Sequence, residues 1–262
     1  MIPFRTSSIN YTDKGAGKAI VLLHGYLESL EIWNGFADEL AKSFRVIAID
    51  IPGHGKSGKV AAIHSMDLMA EAVDTVLTKL DIDKAFLVGH SMGGYVVLSY
   101  LANYARKVSG ICLFHSTPFA DTDEKKANRD REIGIINQGK QEDIFNINVP
   151  KGFANDNLTH LQKKVAWAIN IAQNSQPEGI IALLEGLKTR EDRQLLLKST
   201  STPVLYILGK KDNYIPFDVM YAVAQRSHNG ETLILENSGH MGFIEEEGTC
   251  LEALSSFAMQ HH

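Results

Sequence analysis

The chain is poor in cysteine, in unbalanced positive charge and in long apolar runs. Only Cys112 and Cys250 occur among 262 residues, far apart, so no disulfide framework or cysteine-based metal site is encoded. Cys112 lies in the apolar run Ile111-Cys112-Leu113-Phe114 and reads as a buried structural thiol. The formal net charge is -5, which excludes the basic stripe of a nucleic-acid surface. No apolar run approaches the ~18 residues of a membrane span. Met1-Ile2-Pro3-Phe4-Arg5 has neither the basic nor the apolar region of a secretory signal, so a cytoplasmic location is expected. No Gly-x-Gly-x-x-Gly follows the first strand, and the histidines His24, His54, His64, His90 and His115 lack ligand spacing. The expectation is therefore a protein without metal or cofactor that acts on a small molecule.

What remains is an ordinary globular composition, 44% hydrophobic and 22% charged, in a length suited to one large α/β domain. Short apolar runs at residues 19–23, 46–49, 85–88 and 108–114 predict strands buried on both faces. Between them, residues 65–80 place Leu68, Met69, Ala72, Val73, Val76, Leu77 and Leu80 at helical spacing behind a Ser65 cap. Such alternation predicts a parallel sheet with helices on both faces. Residues 7–11 and the turn 14–17 suggest an antiparallel hairpin at the sheet edge. The alternation stops near Pro118. Residues 117–199 are polar and helical, with helices predicted over 121–137, 157–174 and 177–187. Strand character returns at 203–208 and 231–235, and a last helix is expected over 242–259. This divides the chain into a core of residues 1–116 and 200–262, with an insertion at 117–199.

The chemistry is carried by Gly89-His90-Ser91-Met92-Gly93, which lies directly after the strand 85–88 and before a helix-compatible segment. A turn this tight needs small neighbours, and Gly89 and Gly93 supply the room. The serine hydroxyl then projects from the carboxyl edge of the sheet, and the following helix offers free N–H groups to a negative oxygen. A nucleophilic serine also needs a base and an orienting acid. Asp212 follows the strand 203–208, and His240 follows the strand 231–235, between Gly239 and Gly242. Each has a plainer reading, as a turn aspartate and as a surface histidine. Their joint order after Ser91 favours the acid and the base. The oxyanion N–H groups would come from Met92 and from Tyr26 in His24-Gly25-Tyr26-Leu27.

These segments, with Asp50-Ile51-Pro52-Gly53-His54-Gly55-Lys56-Ser57, resemble the motifs of the α/β-hydrolase fold, in its order and along nearly the whole chain. The resemblance implies a mainly parallel eight-stranded sheet, a helical cap over its carboxyl edge and a Ser91–His240–Asp212 triad. It makes Asp50 to Ser57 a structural turn. It also implies a serine esterase or enol-lactonase-like hydrolase that cleaves an ester or lactone of a small to medium, largely apolar substrate. The same triad serves C–C bond hydrolysis, lyase or cofactor-free perhydrolase chemistry. A binding protein could keep the scaffold without turnover. The serine at the elbow argues against the aspartate-nucleophile branch of the fold. Tyr26 stands where many relatives have a small residue, and either narrows the pocket or packs under the cap. Tyr26, Trp167, Phe119 and Met241 are the candidate substrate contacts, with Phe145, Phe153, Ile171 and Leu184 as further apolar candidates in the insertion. Glu28 and Glu31 are expected only to begin the helix through Trp33. Lys125, Lys126, Lys163 and Lys164 lie among acidic residues and make no case for an anionic substrate.

Overall fold

The computed structural model describes residues 1–261; His262 lies outside them. Two strands, β1 (Ile2–Phe4) and β2 (Ser7–Ile9), form a separate antiparallel ribbon. The main sheet contains β3 (Tyr11–Lys14), β4 (Ala19–Leu23), β5 (Arg45–Ile49), β6 (Ala85–His90), β7 (Val108–Phe114), β8 (Val204–Gly209) and β9 (Gly230–Leu235). Their order is β3-β5-β4-β6-β7-β8-β9, with only β3 antiparallel. The sheet thus has seven strands where eight were expected. The edge hairpin is also corrected. Residues 11–14 pair with β5 and not with β4 across the 14–17 turn, because β5 lies between them. Gly15 makes that turn possible at φ 75, where a side chain would collide with the carbonyls of Ala41 and Phe44.

Alternate residues of the buried strands feed two cores. Val21, Leu23, Leu87, Ile111 and Leu113 point to one face, packed by α2 (Met66–Lys79) and α3 (Met92–Tyr104). Ile20, Leu22, Val88, Cys112 and Phe114 point to the other. That face is covered by α1 (Phe36–Leu40) and the C-terminal helix. This double burial explains why the strands read as continuous apolar runs rather than alternating ones.

Between β7 and β8 the chain forms α4 (Asp123–Asn137), α5 (Gln141–Lys151), α6 (Gln162–Gln173), α7 (Pro177–Lys188) and α8 (Gln194–Ser199). Residues 141–151 carry no helical apolar period, which is why α5 was not expected; only Ile144 and Phe145 are buried, and Pro150 sits in its last turn. After β8 come α9 (Phe217–Ala224), and after β9 come α10 (Gly242–Glu245) and α11 (Glu247–His261). No described helix is long and apolar enough to cross a membrane. Strand order reverses between β4 and β6, so the loops leaving those two strands open a crevice at the carboxyl edge.

Candidate active site

Ser91 occupies that edge at φ 48 and ψ -112, a strained conformation for a residue with a side chain. The strain is held from both sides. Its N–H donates to Phe114 O at 2.9 Å, and Ser116 Oγ donates to Ser91 O at 2.6 Å. A Cβ at Gly89 would collide with the backbone of Gly93 and Gly94, and one at Gly93 with the Leu23 carbonyl. Met92 opens α3, so its N–H is free of the intrahelical ladder.

His240 faces the same cavity as Ser91. Its Nδ1 donates to Asp212 Oδ2 at 2.8 Å, and its own N–H donates to Gly152 O at 2.6 Å. The Asp212 carboxylate is almost fully buried, and its Oδ1 accepts the N–H groups of Tyr214 and Ile215 at 2.8 and 2.9 Å. Burial pushes this carboxyl up, but the His240 and His115 rings outweigh it and hold it well below the usual carboxylate range. His115 lies beside the pair, 3.4 Å from Asp212, and burial pushes its pKa down to about 4. His115, Asp212 and His240 bring ligand-type atoms within 4.8 Å of one another. With its proton on Nδ1 toward Asp212, His115 accepts the Gly242 N–H at Nε2, at 3.2 Å. The trio is hydrogen-bonded as it stands.

Two other acids, Asp121 and Asp123, follow the preceding strand β7 and do not meet His240. Asp121 is buried between Arg190 at 2.9 Å and Arg129 at 3.3 Å, and Asp123 is exposed. Asp50 forms the expected structural turn, accepting from Leu30 and Lys56 N–H groups at 2.7 and 2.9 Å. His24 fastens the loop after β4, donating to Gly25 O and accepting from Ile51 N–H.

Ser91, Met92, Tyr26, His240 and Met241 face one cavity of about 480 Å³. Helices α4 and α5 supply its far wall through Arg129, Glu132, Ile135, Asn148 and Val149. Tyr26 is therefore a wall residue. Its hydroxyl lies beside Glu132, and burial raises its pKa well above the ordinary value. Two predicted contacts are corrected. Trp167 lies under the Lys164 ammonium, 5.5 Å from its ring, and packs on the second core. Its neighbour Ala168 faces the cavity, and one step along a helix turns a side chain by about 100°. Phe119 borders a separate small cleft with Tyr95 and Arg190. Phe145 and Leu184 are buried in the first core, and Phe153 and Ile171 in the second. Arg129, Glu132, Asn148 and Lys151 share the wall with Ile135, Val149, Leu187 and Ile215.

Two acids escaped the sequence reading. Glu28 does not simply start a helix: it is buried, and binds the Gly25 N–H and the His90 ring. Glu245 holds the histidine loop to the inserted helices. Its Oε2 accepts from Gly239 and Met241 N–H, and its Oε1 from Ala154 N–H and Asn157 Nδ2. A carboxylate three residues after the glycine that follows β4 was the available signal for Glu28; Glu245 in a run of three glutamates gave none.

Known proteins share this fold. The family described as alpha/beta hydrolase fold matches residues 18–247. The chain belongs to that family and is a hydrolase. It is 28% identical over 254 residues to the AB hydrolase superfamily protein YisY of Bacillus subtilis (strain 168), covering 94% of this chain and 93% of that one. It is also 28% identical over 254 residues to a pimeloyl-[acyl-carrier protein] methyl ester esterase of Citrobacter koseri, covering 95% and 97%. A solved thermophilic esterase from Thermogutta terrifontis, with malate bound, superposes with a TM-score of 0.94 at 25% identity, over 97% of this chain and 94% of its own.

Proposed function

We propose that this hydrolase is a serine esterase or lactonase that works through an acyl-enzyme, with Ser91 as nucleophile, His240 as base and Asp212 as orienting acid. The observation that carries the reading is the 2.8 Å bond between His240 Nδ1 and buried Asp212, beside a serine held at φ 48 on the same cavity. Asp212 fixes the proton on Nδ1, which leaves Nε2 to accept the Ser91 hydroxyl proton as Oγ attacks the carbonyl carbon. The oxygen that becomes negative binds the N–H groups of Met92 and Tyr26. When the tetrahedral intermediate collapses, the C–O bond to the alcohol breaks and His240 returns the proton to it. Water, deprotonated by the same ring, then releases the acid and restores Ser91. The helical segment 117–199 acts as a cap that selects a small molecule, and its mixed wall suits an acyl chain with a polar group.

The test is a fluorophosphonate label together with p-nitrophenyl ester turnover. Wild type should label on Ser91, and Ser91→Ala should lose on the order of 10³-fold or more in kcat while folding normally. A Ser91→Ala protein that keeps a tenth of the activity sinks the reading.

A further inference from the structure

In the cavity wall beside Ser91 lies a buried ion pair that the triad does not use. The His90 side chain is 1% exposed and that of Glu28 10%. His90 Nδ1 is 3.0 Å from Glu28 Oε2. Its Nε2 is 2.8 Å from the main-chain oxygen of His240. The same Glu28 oxygen accepts the Gly25 N–H at 2.5 Å.

Proton counting fixes the charge state. A carbonyl oxygen only accepts, so Nε2 carries a proton. A ring protonated there alone would aim the Nδ1 lone pair at Glu28 Oε2. That oxygen already draws one N–H and is best satisfied as a carboxylate accepting two donors. His90 is therefore an imidazolium and Glu28 its counterion, with no net charge between them. The wider surroundings agree. Burial alone would lower His90, but Glu28, the His240 carbonyl and Asp212 raise it above the ordinary value. Burial pushes Glu28 up, yet His90, the Gly25 N–H and His24 bring it below. The other titratable rings nearby are His240 at 4.9 Å and His115 at 6.3 Å between centroids. Trp33 and Phe243 pack edge-on against the His90 ring.

Each end of the pair grips a different loop. Gly25 immediately precedes Tyr26, His90 precedes Ser91, and the third contact is the backbone of His240 itself. We propose that Glu28 and His90 are a positioning pair that fixes the oxyanion loop, the serine turn and the base loop relative to one another. This rests on the serine-hydrolase reading above. The single shared oxygen makes the arrangement sensitive to chemistry as well as shape. In Glu28→Gln an amide oxygen could take the Gly25 N–H, but His90 would then have to stay charged in a dry site without a counterion or turn a lone pair on the His240 carbonyl. An isosteric change thus breaks one of the three contacts. Misplacing preorganised groups lowers the rate of the chemical step more than substrate binding.

The experiment uses Glu28→Gln, His90→Phe and the double variant, each checked for folding by circular dichroism. With p-nitrophenyl butyrate, each single variant should lose tenfold to about 10³-fold in kcat while KM moves less than threefold. The double should be no worse than the poorer single, as expected of groups acting as one unit. Nitrogen-15 spectra of imidazole-labelled wild type at pH 8 should show His90 protonated at both nitrogens, and Glu28→Gln should lose that signature. A folded Glu28→Gln enzyme with kcat within threefold of wild type overturns the proposal, as does a singly protonated His90 at pH 8. The spectrum needs no turnover, so it still decides if the variants fail to fold. Loss of the esterase reading would appear separately, as Ser91-independent activity.

Discussion

Asp212 meets His240 through one carboxylate oxygen and turns the other onto the N–H groups of Tyr214 and Ile215. No amide can fill both roles. In Asp212→Asn either the –NH₂ faces the His240 ring, which favours the wrong tautomer, or it faces two N–H donors. The expected cost is about 10²- to 10⁴-fold in kcat with the fold retained. Asp121→Asn leaves two arginines underpaired and should lower Tm while keeping kcat per folded molecule within threefold. Steady-state kinetics on both variants checks this; a crippled Asp121→Asn beside an active Asp212→Asn would reverse the assignment.

Glu245 accepts four hydrogen bonds that join the base loop to the inserted helices. Glu245→Gln must turn its –NH₂ toward donors on one side. Urea unfolding should show a loss on the order of 2–3 kcal/mol, since charge-assisted bonds are broken and buried donors left bare. Unchanged stability would mean that this link between loop and cap carries no weight.

Cavity walls should set acyl preference, and core residues should not. Val149→Phe fills space opposite Ser91 and should cut kcat/KM for p-nitrophenyl octanoate relative to acetate by about tenfold or more. Trp167→Ala should leave the ranking of chain lengths as it is, at some cost in stability. A chain-length series on the two proteins separates wall from core, and an altered ranking in Trp167→Ala would return that ring to the pocket.

Several histidines are buried neutral. Burial pushes His64 down to about 4, and its Nε2 accepts the Val60 N–H at 3.2 Å. The unfolded chain binds a proton near 6.5 that the folded chain refuses, so stability falls as pH drops from about 6.5 toward 4. His64→Gln keeps an acceptor and removes the titration. Relative to its value at pH 7.5, wild type should lose about 2 kcal/mol more than His64→Gln by pH 5. Parallel curves for the two proteins in chemical denaturation would contradict the buried neutral ring.

The sequence was most legible where one physical requirement acts on contiguous residues. Strands buried on both faces must be apolar throughout, and so β4 to β8 stood out. A strained serine must have glycine neighbours, and Gly89 and Gly93 marked it. Asp212 and His240 were visible because both follow strands at the same sheet edge. The cavity wall was not legible. Trp167 and Ala168 are adjacent in sequence, yet only rotation about α6 decides which meets the cavity, and that depends on packing between helices. Glu28 was misread because its partners, Gly25 and His90, are joined by the sheet and not by local spacing. The hairpin failed for a similar reason: a turn near glycines specifies a reversal, but not which strand slips in between.

His90 and the carbonyl it holds are 150 residues apart in the chain. During synthesis, the serine turn is made long before the base that would activate it. Only after β9 has paired with β8 does the loop bearing His240 come within reach. If Ser91 is the nucleophile proposed above, a chain that stops before β9 would hold it without its base. On that reading, activity would report that the far edge of the sheet has closed.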